Sequence, residues 1–377
     1  MKKEKISLIR SDGFQTLLAS LVCILGGILV GYIALLIIEP SGASEAIIAV
    51  LKSFFRYPGK LMMKYFGQTL VRTVPLILCA LSVLFAYKVG MFNIGVAGQY
   101  VAGACGCLYA ALAWNLPWLP CLLIGMAAAA ALGVISGWLK TACNVNIVIS
   151  GIMLNWITLY MTNLILGTVK SPNSPYTMAL QGVNPKALLP KMGLEKFFNN
   201  EKSVTITIPL AIIVAIVVWV VLNKTKFGYE LKATGNNYHA AKYAGMKENR
   251  NIILTMLIAG ALAGMGAGLL YLTGIEDWET TISSVPAMGF NGIAVAFLGG
   301  LNPIGSILSA FFIQYITLGG GNVDLQVYCS QISSLISSLI IYLCAFVIFY
   351  KSFLQKQIAK RDEKMAAKAA NEKGGEG

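Results

Sequence analysis

The side chains that could do chemistry in the apolar stretches of this 377-residue chain are amides and hydroxyls. Asn93, Gln99, Asn144, Asn146, Asn155, Thr158, Asn163, Asn291, Asn302 and Gln314 lie in or beside those stretches, with Phe92 and Phe290 next to two of them. Carboxamides donate and accept hydrogen bonds without titrating. Beside aromatic faces they suit a pathway for an uncharged solute, polyhydroxylated or heterocyclic. The same groups also hydrogen-bond packed helices to one another. Phe92, Asn93, Gln99, Asn155, Phe290 and Asn291 are the candidate pathway residues.

What is missing narrows the chemistry further. Arg72 is the only charged side chain within the expected membrane segments. Passing protons across a membrane needs ionisable groups inside it, so proton coupling is disfavoured. Sodium coupling, which backbone carbonyls alone can serve, is weakened. His239 is the single histidine, no Ser/His/Asp or paired-carboxylate set can be assembled, and no catalytic residue is assigned. The chain has no GxxxxGK[ST] phosphate cradle, so energy for uphill movement must come from a partner. Of the eight cysteines, seven lie in apolar runs and none forms a CxxC pair, so neither a metal site nor any cofactor in this chain is expected. The net charge of +13 is spread over loops and ends without a nucleic-acid-binding motif, so nucleic acid is not an expected partner.

The elements that must position these residues follow from composition. Hydrophobic residues make up 57% of the chain and charged ones 12%, and the mean hydropathy is +0.71. That describes an all-α, polytopic protein of the cell membrane. Ten spans are predicted, at 17–38, 70–87, 90–113, 117–139, 146–168, 205–222, 251–272, 287–300, 303–319 and 330–350. The first follows Lys2, Lys3, Lys5 and Arg10 and is too long for a cleaved signal sequence, so it is read as an uncleaved helix. With both termini cytoplasmic, 19 Lys and Arg fall on the inner side and 9 on the outer, which supports that orientation. Residues 1–16 form a cytoplasmic start, 17–350 the transmembrane domain, and 351–377 a charged, disordered tail.

Two segments echo each other. Residues 90–99 and 289–303 each set a Phe-Asn pair among glycines at an apolar run. The eighth span is only about 21 Å long against a ~30 Å hydrocarbon core, and is read as broken or partly re-entrant. Interrupted segments in corresponding halves point to a solute pathway between two related helical halves, because unwound backbone is tolerated only beside protein or a watery cavity. Close helix packing through glycine is the other use of such a pattern.

The largest inner loop, 223–250, carries a compact capped helix, with Asn236 or Asn237 as N-cap and Gly245 placed as the C′ residue. So short a helix needs packing to hold it, which a groove on another protein would supply.

This loop resembles that of the permease subunits of bacterial ABC importers of the ribose, branched-chain amino acid and nucleoside group. The resemblance runs from the second span to the tenth, and its strongest motif is Gly228-Tyr-Glu-Leu-Lys-Ala-Thr-Gly-Asn-Asn-Tyr-His-Ala-Ala-Lys-Tyr-Ala-Gly245, followed by Ala259-Gly-Ala-Leu-Ala-Gly264. It implies a coupling helix that docks on an ABC-type ATPase, a role that passes here to Gly235, Asn236, Ala240, Ala241, Tyr243 and Gly245. It also implies ATP and Mg on that ATPase, a second permease in a homo- or heterodimer, an extracytoplasmic solute-binding lipoprotein and a small-molecule solute. Phe92-Asn-Ile-Gly-Val-Ala-Gly-Gln99 and Gly289-Phe-Asn-Gly-Ile-Ala-Val-Ala296 are most similar to the nucleoside permeases. Many members of the group carry Glu in place of Ala97 and Asp in place of Asn291, so this pathway is the more neutral one. The alternatives are the same type of permease for a simple sugar or a branched-chain amino acid, and a stand-alone secondary carrier.

Overall fold

A computed structural model describes residues 12–323 and 349–360, with isolated positions between them. Its principal helices are α1 (Asp12–Ile38), α2 (Ala43–Lys52), α3 (Gly59–Tyr87), α4 (Val96–Leu112), α5 (Trp118–Cys143), α6 (Ile147–Leu166), α7 (Thr207–Lys224), α8 (Lys226–Asn236), α9 (Tyr238–Tyr243), α10 (Glu248–Tyr271), α11 (Ala287–Leu298) and α12 (Pro303–Gly320). Among the described residues, seven helices, α1, α3, α5, α6, α7, α10 and α12, are long and apolar enough to cross a membrane, and α4 and α11 are shorter apolar helices. The protein is all-α and polytopic, and these helices coincide with the first nine predicted spans. The tenth, 330–350, lies largely outside the described residues, as do 1–11 and 361–377 of the two termini.

The core is a central pair, α3 and α10, and the packing around it repeats. Helix α3 packs on α11 and α12, while α10 packs on α4 and α5. The pair α4–α5 is matched by α11–α12. Each half thus pairs its long first helix with the short and long helices of the other. Glycine makes the approach close enough. At the α5–α10 crossing a side chain on Gly133 would overlap the Met256 carbonyl, and one on Gly260 the Ala129 carbonyl.

Three boundaries differ from the sequence reading. Helix α3 starts at Gly59, not at 70, because its first two turns form an amphipathic end carrying Lys60 and Lys64. Helix α2 occupies part of the expected outer loop, with Ala43, Ala46 and Val50 at helical spacing on its buried face. Helix α4 begins at Val96, not at 90, because the chain before it is non-helical, turning at Gly90 with φ +76°.

Two segments expected on the outer side pair to form a cap. Thr177 donates its backbone N–H to the Trp278 carbonyl at 2.9 Å, and the Trp278 N–H returns to the Thr177 hydroxyl at 3.1 Å. The Trp278 indole N–H bonds Asn163 Oδ1 at 3.0 Å, fixing this cap to α6.

Candidate functional site

The break between α3 and α4 is the first part of the site. Helix α3 ends at Tyr87, and Gly90 turns the chain with φ +76°, a conformation costly for any residue with a Cβ. Residues 91–93 then have no regular secondary structure, the Ile94 N–H bonding the Phe92 carbonyl at 3.0 Å, before a turn at Ile94 and Gly95 leads into α4.

Three predicted pathway residues, Asn93, Gln99 and Asn155, meet here, each buried to 2% exposure or less. Asn93 donates to Gln99 Oε1 at 2.9 Å and to the Ser82 hydroxyl at 3.4 Å, tying the break to α4 and back to α3. Asn155 reaches across from α6. Its Oδ1 accepts the Gly98 backbone N–H at 2.7 Å, and its Nδ2 donates to the Ile94 carbonyl at 3.2 Å. Gly98 is the third residue of α4, and the α4 N-cap, Gly95, offers no side-chain bond. Asn155 therefore caps α4 from another helix, supplying the oxygen that an N-cap side chain normally provides. The approach needs glycine, since a Cβ on Gly98 would lie 2.7 Å from Asn155 Oδ1 and one on Gly151 would lie 2.8 Å from the Gly95 nitrogen.

The second echo adopts a different conformation. Phe290 and Asn291 are the fourth and fifth residues of α11, not part of a non-helical break, with Phe290 exposed and Asn291 half-buried. The two short helices touch at their N-terminal ends, where Gly289 packs on the buried Ala97. Half-buried Phe92 faces Phe297 of α11, ring centroids 6.1 Å apart. Helix α4 has 17 residues, about 26 Å, and α11 has 12, about 18 Å, so each falls short of a ~30 Å core. Two interrupted segments thus converge, one from each half.

The loop expected on the inner side, 223–250, folds as two helices, α8 and α9. Asn237, not Asn236, is the N-cap of α9 and accepts the Ala240 N–H at 3.0 Å. Gly245 is the C′ residue, with φ +78°. The Gly245 N–H bonds the Lys242 carbonyl and the Met246 N–H the Ala241 carbonyl, both at 3.0 Å, the pair of bonds that closes a Schellman motif. Of the six predicted coupling residues, Asn236, Ala240, Tyr243 and Gly245 are exposed, Tyr243 to 93%, whereas Ala241 is buried and Gly235 is half-buried.

Gly235 has a seat that sequence reasoning missed. A side chain there would overlap the Lys88 carbonyl, so α8 lies directly against the turn that starts the break. Lys88, Gly90 and Ser82 are the further residues that this geometry brings into the site. Gly90 had a legible signal, since a glycine just past an apolar helical run marks a helix end. Nothing in the sequence says that Gly235 meets it.

A family model described as the branched-chain amino acid transport system permease component matches residues 65–348. The guanosine ABC transporter permease protein NupP of Bacillus subtilis is 36% identical over 266 residues, 70% of this chain and 75% of its own length. The nucleoside ABC transporter permease protein NupB of Lactococcus lactis is 32% identical over 318 residues, covering 82% and 85%. The glucose ABC transporter permease protein TsgB13 of Haloferax volcanii is 30% identical over 272 residues, covering 69% and 70%. No solved structure matches the chain.

Proposed function

The chain belongs to the family of branched-chain amino acid transport system permease components, and on that premise we propose that it carries nucleosides through a pathway driven by a separate ATPase. The carrying observation is the contact of Gly235 with the Lys88–Gly90 turn. It makes an exposed inner loop mechanically continuous with the break inside the bundle.

The loop helices α8 and α9 would dock on the ATPase, which binds ATP and Mg, through Asn236, Ala240 and Tyr243. Closure of the ATPases would move α8, and Gly235 would pass the displacement to Gly90 and then to the non-helical residues 91–95. Asn93, Gln99 and Asn155 hold that segment as a unit, so the movement reaches α4 instead of dissipating. Phe92, Phe290 and Asn291, the more accessible members of the two echoes, would meet the solute, with the three buried amides positioning them. A second permease would complete the pathway and a solute-binding lipoprotein would deliver the solute to the outer face. The alternation of access is then a rigid-body rocking of helices, the usual form of such transitions.

Nucleosides as the solute are supported by the guanosine and nucleoside permeases among the relatives. The glucose permease at 30% identity favours a sugar as the second reading, with the same coupling. The lysine-rich loop 223–250 supports a cytoplasmic placement of this face. Purification of the tagged permease in mild detergent from its native cell tests the assembly. Recovery of a P-loop ATPase that is lost on substituting Tyr243 and Ala240 is the expected result. Recovery of the permease alone, active in liposomes without ATP, would overturn it.

A further inference from the structure

Beneath the break, where α8 meets the end of α3, lies a pocket of about 460 Å³ lined by Tyr87, Lys88, Gly90, Lys232, Gly235 and Asn236. Two of its six lining residues are lysines and none is acidic. Lys232 bonds Asn223 Oδ1 at 2.8 Å, a neutral acceptor that leaves its charge uncompensated. Among the described residues, no carboxylate lies within ion-pair distance of either lysine, although Lys64, Arg72 and Lys242 each have one. Burial, and then the like charge of Lys232, push the Lys88 ammonium below its ordinary pKa, with no carboxylate acting the other way. Two like charges held at a half-buried joint cost stability unless an anion joins them.

We propose that this pocket receives a carboxylate side chain of the ATPase, held between Lys88 and Lys232, and that this contact complements docking on the exposed face of α9. The inference rests on the reading that α8 and α9 face an ATPase. A carboxylate suits the pocket because an ammonium pair offers point charges with rotatable donors on both sides of it. The place suits coupling, because the pocket is walled by Gly90 and Gly235, the two residues that join loop to break. A carboxylate seated there would hold α8 and the turn at Lys88 together while the ATPases close.

The test uses the permease with its copurified ATPase in nanodiscs. Treatment with a carbodiimide joins a lysine amine to a carboxylate in direct contact, and mass spectrometry then finds the linked peptides. The expected products link Lys88 or Lys232 to an Asp or Glu of the ATPase. The paired change Lys88→Gln with Lys232→Gln is expected to weaken ATPase capture at least about tenfold. Capture unchanged in that variant, with linkage only through Lys226 or Lys242, would overturn the pocket and leave the docking of α9 standing. Wild-type permease that captures no ATPase would overturn both. Protection of Lys88 and Lys232 from amine labelling by phosphatidylglycerol nanodiscs without ATPase would also overturn it, reassigning the pair to a lipid headgroup.

Discussion

Gly235 of α8 lies against Gly90 of the break, so close that a Cβ added to Gly90 would stand 3.4 Å from the Gly235 carbonyl oxygen. Neither residue has a side chain, so the two backbones lie directly against each other. Any displacement of the loop helices is therefore felt first at the turn that opens the interrupted segment.

Gly235→Val should uncouple the machine without dismantling it, because a branched side chain would overlap the Lys88 carbonyl and push α8 away. ATPase capture through α9 is expected to survive, weakened by no more than the paired Lys88→Gln and Lys232→Gln change weakens it, while solute uptake falls to background. Wild-type uptake by this variant would show that the contact transmits nothing.

Asn155→Ala removes the cap that α6 supplies to α4, leaving the Gly98 N–H without its acceptor. The expected cost is about 1 kcal/mol, the usual value of a lost cap, read as a lower thermal midpoint in detergent. Asn155→Asp, as the neutral acid, keeps an acceptor for Gly98 and an O–H donor for the Ile94 carbonyl, and should retain more stability than the alanine variant. Equal midpoints for all three proteins would refute the capping role.

Gly245→Pro attacks the loop through backbone geometry alone. Proline is locked near φ −65°, and Gly245 sits at +78° while donating its N–H to Lys242. The variant should reach the membrane at normal abundance yet fail to import solute. Full import would place the working contact elsewhere.

Arg72 and Glu276 bridge α3 to the chain leaving α10, at 2.5 Å, with side chains 32% and 33% exposed. At that exposure the pair is worth up to about 1 kcal/mol. A double-mutant cycle through Arg72→Gln and Glu276→Gln should return a coupling of that order, smaller at high salt. A coupling of several kcal/mol would mean that the pair is desolvated in the assembly.

The long helices were legible because an apolar run of some twenty residues has few other fates in a lipid solvent. The Schellman end at Gly245 was legible for a local reason, since a glycine after a short alanine-rich run has one common use. Helix α2 was less visible, because ten residues with Ala43, Ala46 and Val50 inward look like any apolar loop until something packs on them. The Phe-Asn echo marked two segments that meet in the structure but hid a difference. Asn93 sits in the non-helical break and Asn291 in a helix, a choice made by the neighbours and not by the pair itself. Asn155 was singled out as a polar residue in a span, yet its part in capping α4 depends on Gly98 and Gly151, distant in sequence, letting α6 come near. Gly235 and Gly90 meet only in three dimensions.

Replacing Phe290 or Asn291 by Ala should change the order in which unlabelled solutes compete for uptake, more than it changes abundance. An unchanged order in both variants would return these residues to helix packing.

The most direct measurement is uptake of labelled guanosine into proteoliposomes that hold the permease, its copurified ATPase and the solute-binding lipoprotein. The account predicts uptake that requires ATP, survives collapse of ion gradients, and is competed by unlabelled nucleosides better than by glucose or leucine. Uptake that persists without ATP and collapses with the ion gradient would contradict it.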